Sequence, residues 1–283
     1  MQERKKIAII GLGLIGGSLA IQLHEKKLSS SLRGVETNSE HAVQALELEL
    51  VDEVVDLETA ISSSDVIIIA IPVNLINELL PRILDQIDQQ IVIDLGSTKS
   101  EMIQAVKDHP KRGRYVATHP MWGREYSGPT AAVRDAFEKR AVVICDAADS
   151  DKDALHWVRH MYQKIGMHLI DMEGKAHDLH AAYISHVSHI TSFALANTVL
   201  EKEKEEQAIF EMASGGFEST VRLAKSHPDM WVPIFLQNRH HVLDVLREHI
   251  IQLQKFETTL ENNDEPGLKK LIEDANRIRR IIK

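Results

Sequence analysis

A short apolar run, Lys6 to Ile10, passes directly into Gly11-Leu12-Gly13-Leu14-Ile15-Gly16, and Gly17-Ser18 then opens a helical stretch. Few architectures accept a strand that feeds a helix through three glycines at this spacing. Gly11 permits the tight turn, Gly13 lets the main chain approach a pyrophosphate, and Gly16 lets the helix pack against the strand. The amides around Leu14 and Ile15 and the positive end of the helix dipole then face the same point. Glu36 follows Gly16 by twenty residues, at the end of the next apolar run. A carboxylate there binds ribose hydroxyls and repels a 2′-phosphate, so the pattern predicts a dinucleotide site that favours NAD over NADP. Arg33 lies before the strand end and reads as a surface charge.

The pattern that follows is alternating. Apolar runs at Leu32 to Glu36, Val66 to Ile71, Ile91 to Asp94, Tyr115 to Thr118, Ala141 to Cys145 and Met167 to Ile170 are separated by amphipathic segments, which predicts a doubly wound parallel sheet of the Rossmann-like α/β class. After Asp171 the strand signals stop. Apolar residues recur at helical spacing over His177 to Glu203, Glu205 to Met212, Thr220 to Ala224, Met230 to Leu260 and Pro266 to Ile282. The sequence therefore predicts a nucleotide-binding domain over 1–171 and an all-helical domain over 172–283. Helices apolar on more than one face, as from Ala181 to Val199, fit either a second subunit or a monomeric bundle core.

Composition excludes several classes. A net charge of -9 disfavours nucleic acid and anionic lipid as partners. No apolar stretch approaches the roughly 20 residues that cross a bilayer, and the N-terminus has no signal-peptide pattern, so a cytoplasmic, non-membrane protein is expected. The single cysteine, Cys145, lies inside an apolar strand and reads as inert core. Fifteen histidines are the one oddity. Among them His177, His180, His186 and His189 share a helix face, but neither a His-Glu-x-x-His pattern nor a cysteine accompanies them. No metal site is expected, and His177 and His180 read as surface residues.

Thr118-His119-Pro120 places His119 just past the fifth long strand, on the carboxyl edge where open parallel sheets carry ligands. An imidazole there suits proton abstraction from a hydroxyl whose carbon yields hydride. Ser97, in Asp94-Leu95-Gly96-Ser97-Thr98-Lys99, either orients His119 or a substrate hydroxyl, or is a helix N-cap. Lys99 offers positive charge to an anion. These residues point to a dehydrogenase without naming its substrate.

Taken together, the glycine loop, Asp94 to Lys99, His119-Pro120-Met121-Trp122-Gly123-Arg124-Glu125, the histidine-rich helix His177-Asp178 through His186 and His189, and Gly215-Gly216-Phe217 through Arg222 and Trp231 resemble the prephenate dehydrogenases in motif order over nearly the whole chain. The resemblance implies NAD-dependent oxidation of prephenate with loss of its ring carboxylate, driven by aromatisation. It also implies residue roles. His119 corresponds to the histidine that accepts the ring-hydroxyl proton, and Ser97 to its partner. Arg222 corresponds to an arginine that pairs with a substrate carboxylate, His186 and His189 to pocket histidines, and Glu125 to a gating carboxylate. Gly215 and Trp231 correspond to residues lining the ring pocket. A homodimer through the helical domain and feedback by tyrosine are family expectations. Two positions depart from the family: Ser188 stands where proline is common, and Glu218 where some members carry lysine. An arogenate dehydrogenase and a non-catalytic dinucleotide sensor are the alternatives.

Overall fold

The computed structural model describes residues 4–204 and 207–281. Its first half is a mixed sheet with helices on both faces, built from β1 (Lys5–Ile10), α1 (Leu14–Glu25), β2 (Ser29–Val35), α2 (Ser39–Glu47), β3 (Glu53–Val54), α3 (Leu57–Ser63), β4 (Val66–Ile69), α4 (Val73–Gln86), β5 (Ile91–Asp94), α5 (Ser100–Ala105), β6 (Tyr115–Pro120), β7 (Ala141–Cys145), α6 (Lys152–Ile165) and β8 (His168–Met172). The eight strands lie in the order β3-β2-β1-β4-β5-β6-β7-β8. Central strands are buried on both faces, which is why β4 and β5 read as unbroken apolar runs. Alternate residues feed different cores. Ile7, Ile9, Val66 and Ile68 pack with α1 and α6, whereas Ile67, Ile69 and Val92 pack with α4 and α5.

One feature departs from a wholly parallel sheet: β7 runs antiparallel to β6, with Pro120 opposite Val142. The connection 121–140 holds only a 3-10 turn at Pro129–Ala131 and returns the chain on the same edge, whereas a parallel partner needs a crossover. The helix α6 supplies such a crossover, and β8 lies parallel to β7. The two-residue β3 is too short to show any periodicity.

The second half comprises α7 (Gly174–Ala181), a π-helical turn at Ala182–His186, α8 (Val187–Glu203), α9 (Gly215–Val221), α10 (Pro228–Gln237), α11 (Arg239–Glu261) and α12 (Glu265–Ala275). Two expectations change. Gln207–Met212 is 3-10 rather than α-helical, and the expected ends at Glu205 and Ile282 lie outside the described residues. Met230 to Leu260 is two helices, because Asn238 leaves helical geometry and turns its amide to the Asp178 carbonyl at 2.7 Å. Trp231 and Ile234 of α10 enter the same core as α4, so the helical half is docked on the sheet through shared apolar packing. Among the described residues no helix is long and apolar enough to cross a membrane.

A buried ionic cluster closes the carboxyl end of β5. Lys99 and Asp94 are both fully buried and their side chains pair. Asp94 also accepts from the Tyr115 hydroxyl at 2.7 Å, the Thr118 amide at 3.2 Å and the Gly96 amide at 2.8 Å. Burial, then Asp94, pushes the Tyr115 hydroxyl well above its ordinary pKa and keeps it a donor. Lys99→Met removes the cation paired with Asp94 and leaves the carboxylate buried. We expect a loss of about 3–5 kcal/mol of unfolding free energy in urea titrations; a loss below about 1 kcal/mol would mean that the three neutral donors suffice.

Candidate active site

Strand register sets the frame of the site. Ile10 pairs with Ile69, Ile69 with Asp94, and Asp94 with Ala117. The residues that follow each of these, Gly11, Ala70, Leu95 and Thr118-His119, therefore share one carboxyl edge. Three strand spacings put the glycine loop and His119 about 14 Å apart along it.

At the loop, Gly11 has φ +93° and a Cβ there would lie 2.5 Å from the Ala70 carbonyl oxygen; a Cβ at Gly16 would lie 2.0 Å from the Gly11 oxygen. Both glycines are demanded by the fold. Gly13 differs, because a Cβ there would meet nothing within 4 Å. Its bareness leaves main chain open to a ligand at the N-terminus of α1, whose first turn, with Leu14 and Ile15, carries no acid. Glu36 accepts the Leu12 amide at 3.1 Å and the Asn38 amide at 3.0 Å, which pins a carboxylate beside the loop. These residues fit a dinucleotide.

His119 is half-buried at the end of β6, and its Nδ1 meets Nε2 of His177 at 2.7 Å. His177 is buried, and its Nδ1 meets Asp178 Oδ1 at 2.8 Å. This corrects the surface reading of His177, whereas His180 is exposed. Burial, then His177, Lys99 and His186, holds the His119 pKa well below its ordinary value. Its Nε2 makes no hydrogen bond to the described residues, so at neutral pH it is a free base on the edge.

Ser97 neither caps α5 nor bonds His119. The N-cap groups of α5, the amides of Lys99 and Ser100, are taken by the Asp178 carboxylate, each at 2.8 Å. The partner of His119 Nδ1 is His177. Ser97 is half-buried and makes no hydrogen bond to the described residues, which leaves its hydroxyl available. Lys99 is a second correction: being buried against Asp94, it offers no cation to a ligand and acts only through its field.

The π turn brings His186 inward and His189 beside it, although Ser188 replaces the expected proline; one extra residue per turn re-phases the helix. His186 Nδ1 faces the Asn238 amide nitrogen at 3.1 Å, and burial lowers its pKa to about 4. The His189 Nδ1–H donates to the Ser185 carbonyl at 3.0 Å, and its ring stacks on Trp231 with centroids 3.4 Å apart. Burial lowers its pKa too. Arg222 pairs with Glu125 at 3.0 Å, and Glu125 is held below the ordinary carboxylate range by its own main-chain amide and, against burial, by Arg222. Gly215 is exposed at the start of α9, where a Cβ would meet nothing within 4 Å. Burial pushes the Cys145 thiol up to about 12, which leaves it unreactive. Among the described residues no group of three or more His, Cys, Asp or Glu side chains is placed to hold a metal.

A family model described as prephenate dehydrogenase, nucleotide-binding domain, matches residues 19–171, and one described as prephenate dehydrogenase, dimerization domain, matches residues 173–274. A prephenate dehydrogenase of Bacillus subtilis is 30% identical over 278 residues, covering 97% of this chain and 75% of the relative. A cyclohexadienyl dehydrogenase of Zymomonas mobilis is 27% identical over 282 residues, covering 99% and 96%. The crystal structure of prephenate dehydrogenase from A. aeolicus in complex with hydroxyphenyl propionate and NAD+ matches with a TM-score of 0.91 at 25% identity, over 100% of this chain and 99% of that one.

Neutral burial of the site histidines has a cost in acid. In the unfolded chain an imidazole protonates near pH 6.5, whereas His186 stays neutral down to about 4. Stability present above pH 6.5 is therefore lost as pH falls through that window, because only the unfolded chain takes up the proton. We expect His186 to make the unfolding free energy fall by about 1 kcal/mol per pH unit between about pH 6 and 5. His186→Gln should reduce that slope in denaturant titrations, and an unchanged slope would contradict the neutral assignment.

Proposed function

The chain belongs to the prephenate dehydrogenase family, and on that premise we propose that it catalyses the NAD-dependent oxidative decarboxylation of prephenate to 4-hydroxyphenylpyruvate and carbon dioxide. The observation that carries this reading is His119: a neutral imidazole with an unpartnered Nε2, in register with the glycine loop on one sheet edge. Residues 1–171 are assigned to the nucleotide and residues 172–283 to substrate and dimerisation. The expected setting is cytoplasmic tyrosine biosynthesis.

When bound, NAD supplies the hydride acceptor. Gly13 and the first amides of α1 would hold its pyrophosphate, on the turn that Gly11 and Gly16 make possible, and Glu36 would take the ribose and disfavour NADP. His119 Nε2 takes the proton of the ring hydroxyl as its carbon is oxidised to a carbonyl. The bond to the ring carboxylate then breaks, its electron pair enters the ring, the carbonyl oxygen regains a proton and carbon dioxide leaves. Ser97 holds the same hydroxyl. The guanidinium of Arg222 pairs with a substrate carboxylate by releasing Glu125, an exchange of one partner for another that Arg222, half exposed, makes at little cost. The stacked His189 and Trp231 rings form a flat wall for the substrate ring, with His186 behind them.

Exposed Leu200, Leu243, Ile250, Leu253, Leu260 and Ile272 on α8, α11 and α12 suit a homodimer, and tyrosine, a product-like amino acid, would act at the pocket or at the dimer interface. Glu218, four residues before Arg222, favours arogenate as the second reading, since its ammonium group complements a carboxylate.

Purified protein given prephenate and NAD should form reduced cofactor faster than with arogenate or with NADP. His119→Asn should lower turnover by about 10²–10⁴-fold with little change in NAD affinity; equal loss of both would overturn its role. Because the His119 pKa is depressed, turnover should be flat around neutrality and fall only in acid, whereas a fall beginning above pH 7 would contradict a neutral resting base.

A further inference from the structure

The row Asp178, His177, His119 crosses from the helical half to the sheet edge. Asp178 is buried on α7 and receives three donors: the amides of Lys99 and Ser100, each at 2.8 Å, and His177 Nδ1, also at 2.8 Å. Burial pushes its pKa up, but the bonds from His177 and Ser100 outweigh it and hold the carboxyl below its ordinary range. An ionised carboxylate only accepts, so His177 Nδ1 must carry a proton. With a single ring proton, held on Nδ1, His177 presents a lone pair at Nε2, and His119, 2.7 Å away, then donates from Nδ1. The remaining nitrogen of His119, Nε2, is left unprotonated.

We propose that His177 and Asp178 are positioning residues, which lock His119 in the one tautomer that can take a proton at Nε2. The proposal rests on the reading of His119 as the base. Lys99, from the turn after β5, and His186, from the π turn, face the same row and oppose positive charge on it. An imidazole between the carboxylate and His119 keeps the anion at one remove, so the tautomer is fixed without the rise in pKa that direct contact brings. When Nε2 gains the substrate proton, the imidazolium donates through Nδ1–H to His177, whose own Nδ1–H remains on Asp178. The same carboxylate caps α5 and so fixes the turn that carries Ser97, which ties base and hydroxyl-holder to one anchor.

The test uses the full chain. In long-range ¹H–¹⁵N spectra of protein labelled in histidine, the signals absent from His119→Asn identify His119. The wild type should show protonated Nδ1 and bare Nε2 at pH 7 without any substrate; the reverse tautomer would overturn the proposal. His177→Phe removes the acceptor, and kcat should fall on the order of 100-fold with KM for prephenate little changed. His177→Gln, whose amide oxygen can accept from Nδ1, should restore part of kcat, which a merely structural role would not produce. Wild-type kcat in His177→Phe would overturn the proposal, and if that variant does not fold, the wild-type spectrum decides. A wild type that shows the expected tautomer yet leaves prephenate and arogenate unoxidised would refute the proposed reaction and not the positioning.

Discussion

The carboxylate of Asp178 accepts from two main-chain amides of the turn after β5 and from His177, so a single buried side chain joins the sheet edge to the first helix of the C-terminal half. The rest of the site is arranged around that junction. Its side chain reaches His119 through His177, and its carbonyl orients the Asn238 amide, which in turn faces His186. Because a carbonyl oxygen only accepts, the nitrogen end of Asn238 must face both groups, and His186 must accept at Nδ1 and carry its proton at Nε2. Two histidines of one pocket are thus set in opposite tautomers from one residue, His119 an acceptor and His186 a donor.

Charge is managed by the same economy. The buried cation Lys99 is matched by Asp94, whose other contacts are neutral donors. With that pair internally balanced, its field and the burial around it keep His119 neutral, and burial does the same for His186 and His189. In the proposed reaction the anionic substrate is bound by exchanging Glu125 for the substrate carboxylate on Arg222 rather than by accumulating positive charge, which agrees with the acidic balance of the chain.

Much of the sheet was legible because parallel strands buried on both faces leave apolar runs, and because Gly11 and Gly16 answer to contacts that only glycine meets. Strand direction was not, since the apolar pattern of Ala141 to Cys145 is the same in either sense. The break at Asn238 was hidden because helical periodicity runs through it and the cause is a tertiary hydrogen bond. His177 was misread by pairing it with His180 across a turn. The signal that identifies it is the stripe Gly174, His177, Asp178 and Ala181, at helical spacing with small residues at either end, all buried. Gly174 sits so close to Ile103 that a Cβ would lie 2.8 Å from it, which marks the face that packs on α5. Lys99 was misread for a related reason: sequence places it near the site, and only packing reveals that its charge is already matched.

In the proposed reaction, oxidation and loss of the ring carboxylate are one coupled outcome at this site. The measurement that tests it most directly is the stoichiometry of a single reaction of purified protein with prephenate and NAD, following reduced cofactor, carbon dioxide and 4-hydroxyphenylpyruvate together. The account predicts equal amounts of all three. Reduced cofactor without carbon dioxide, or no reduced cofactor at all, would contradict it.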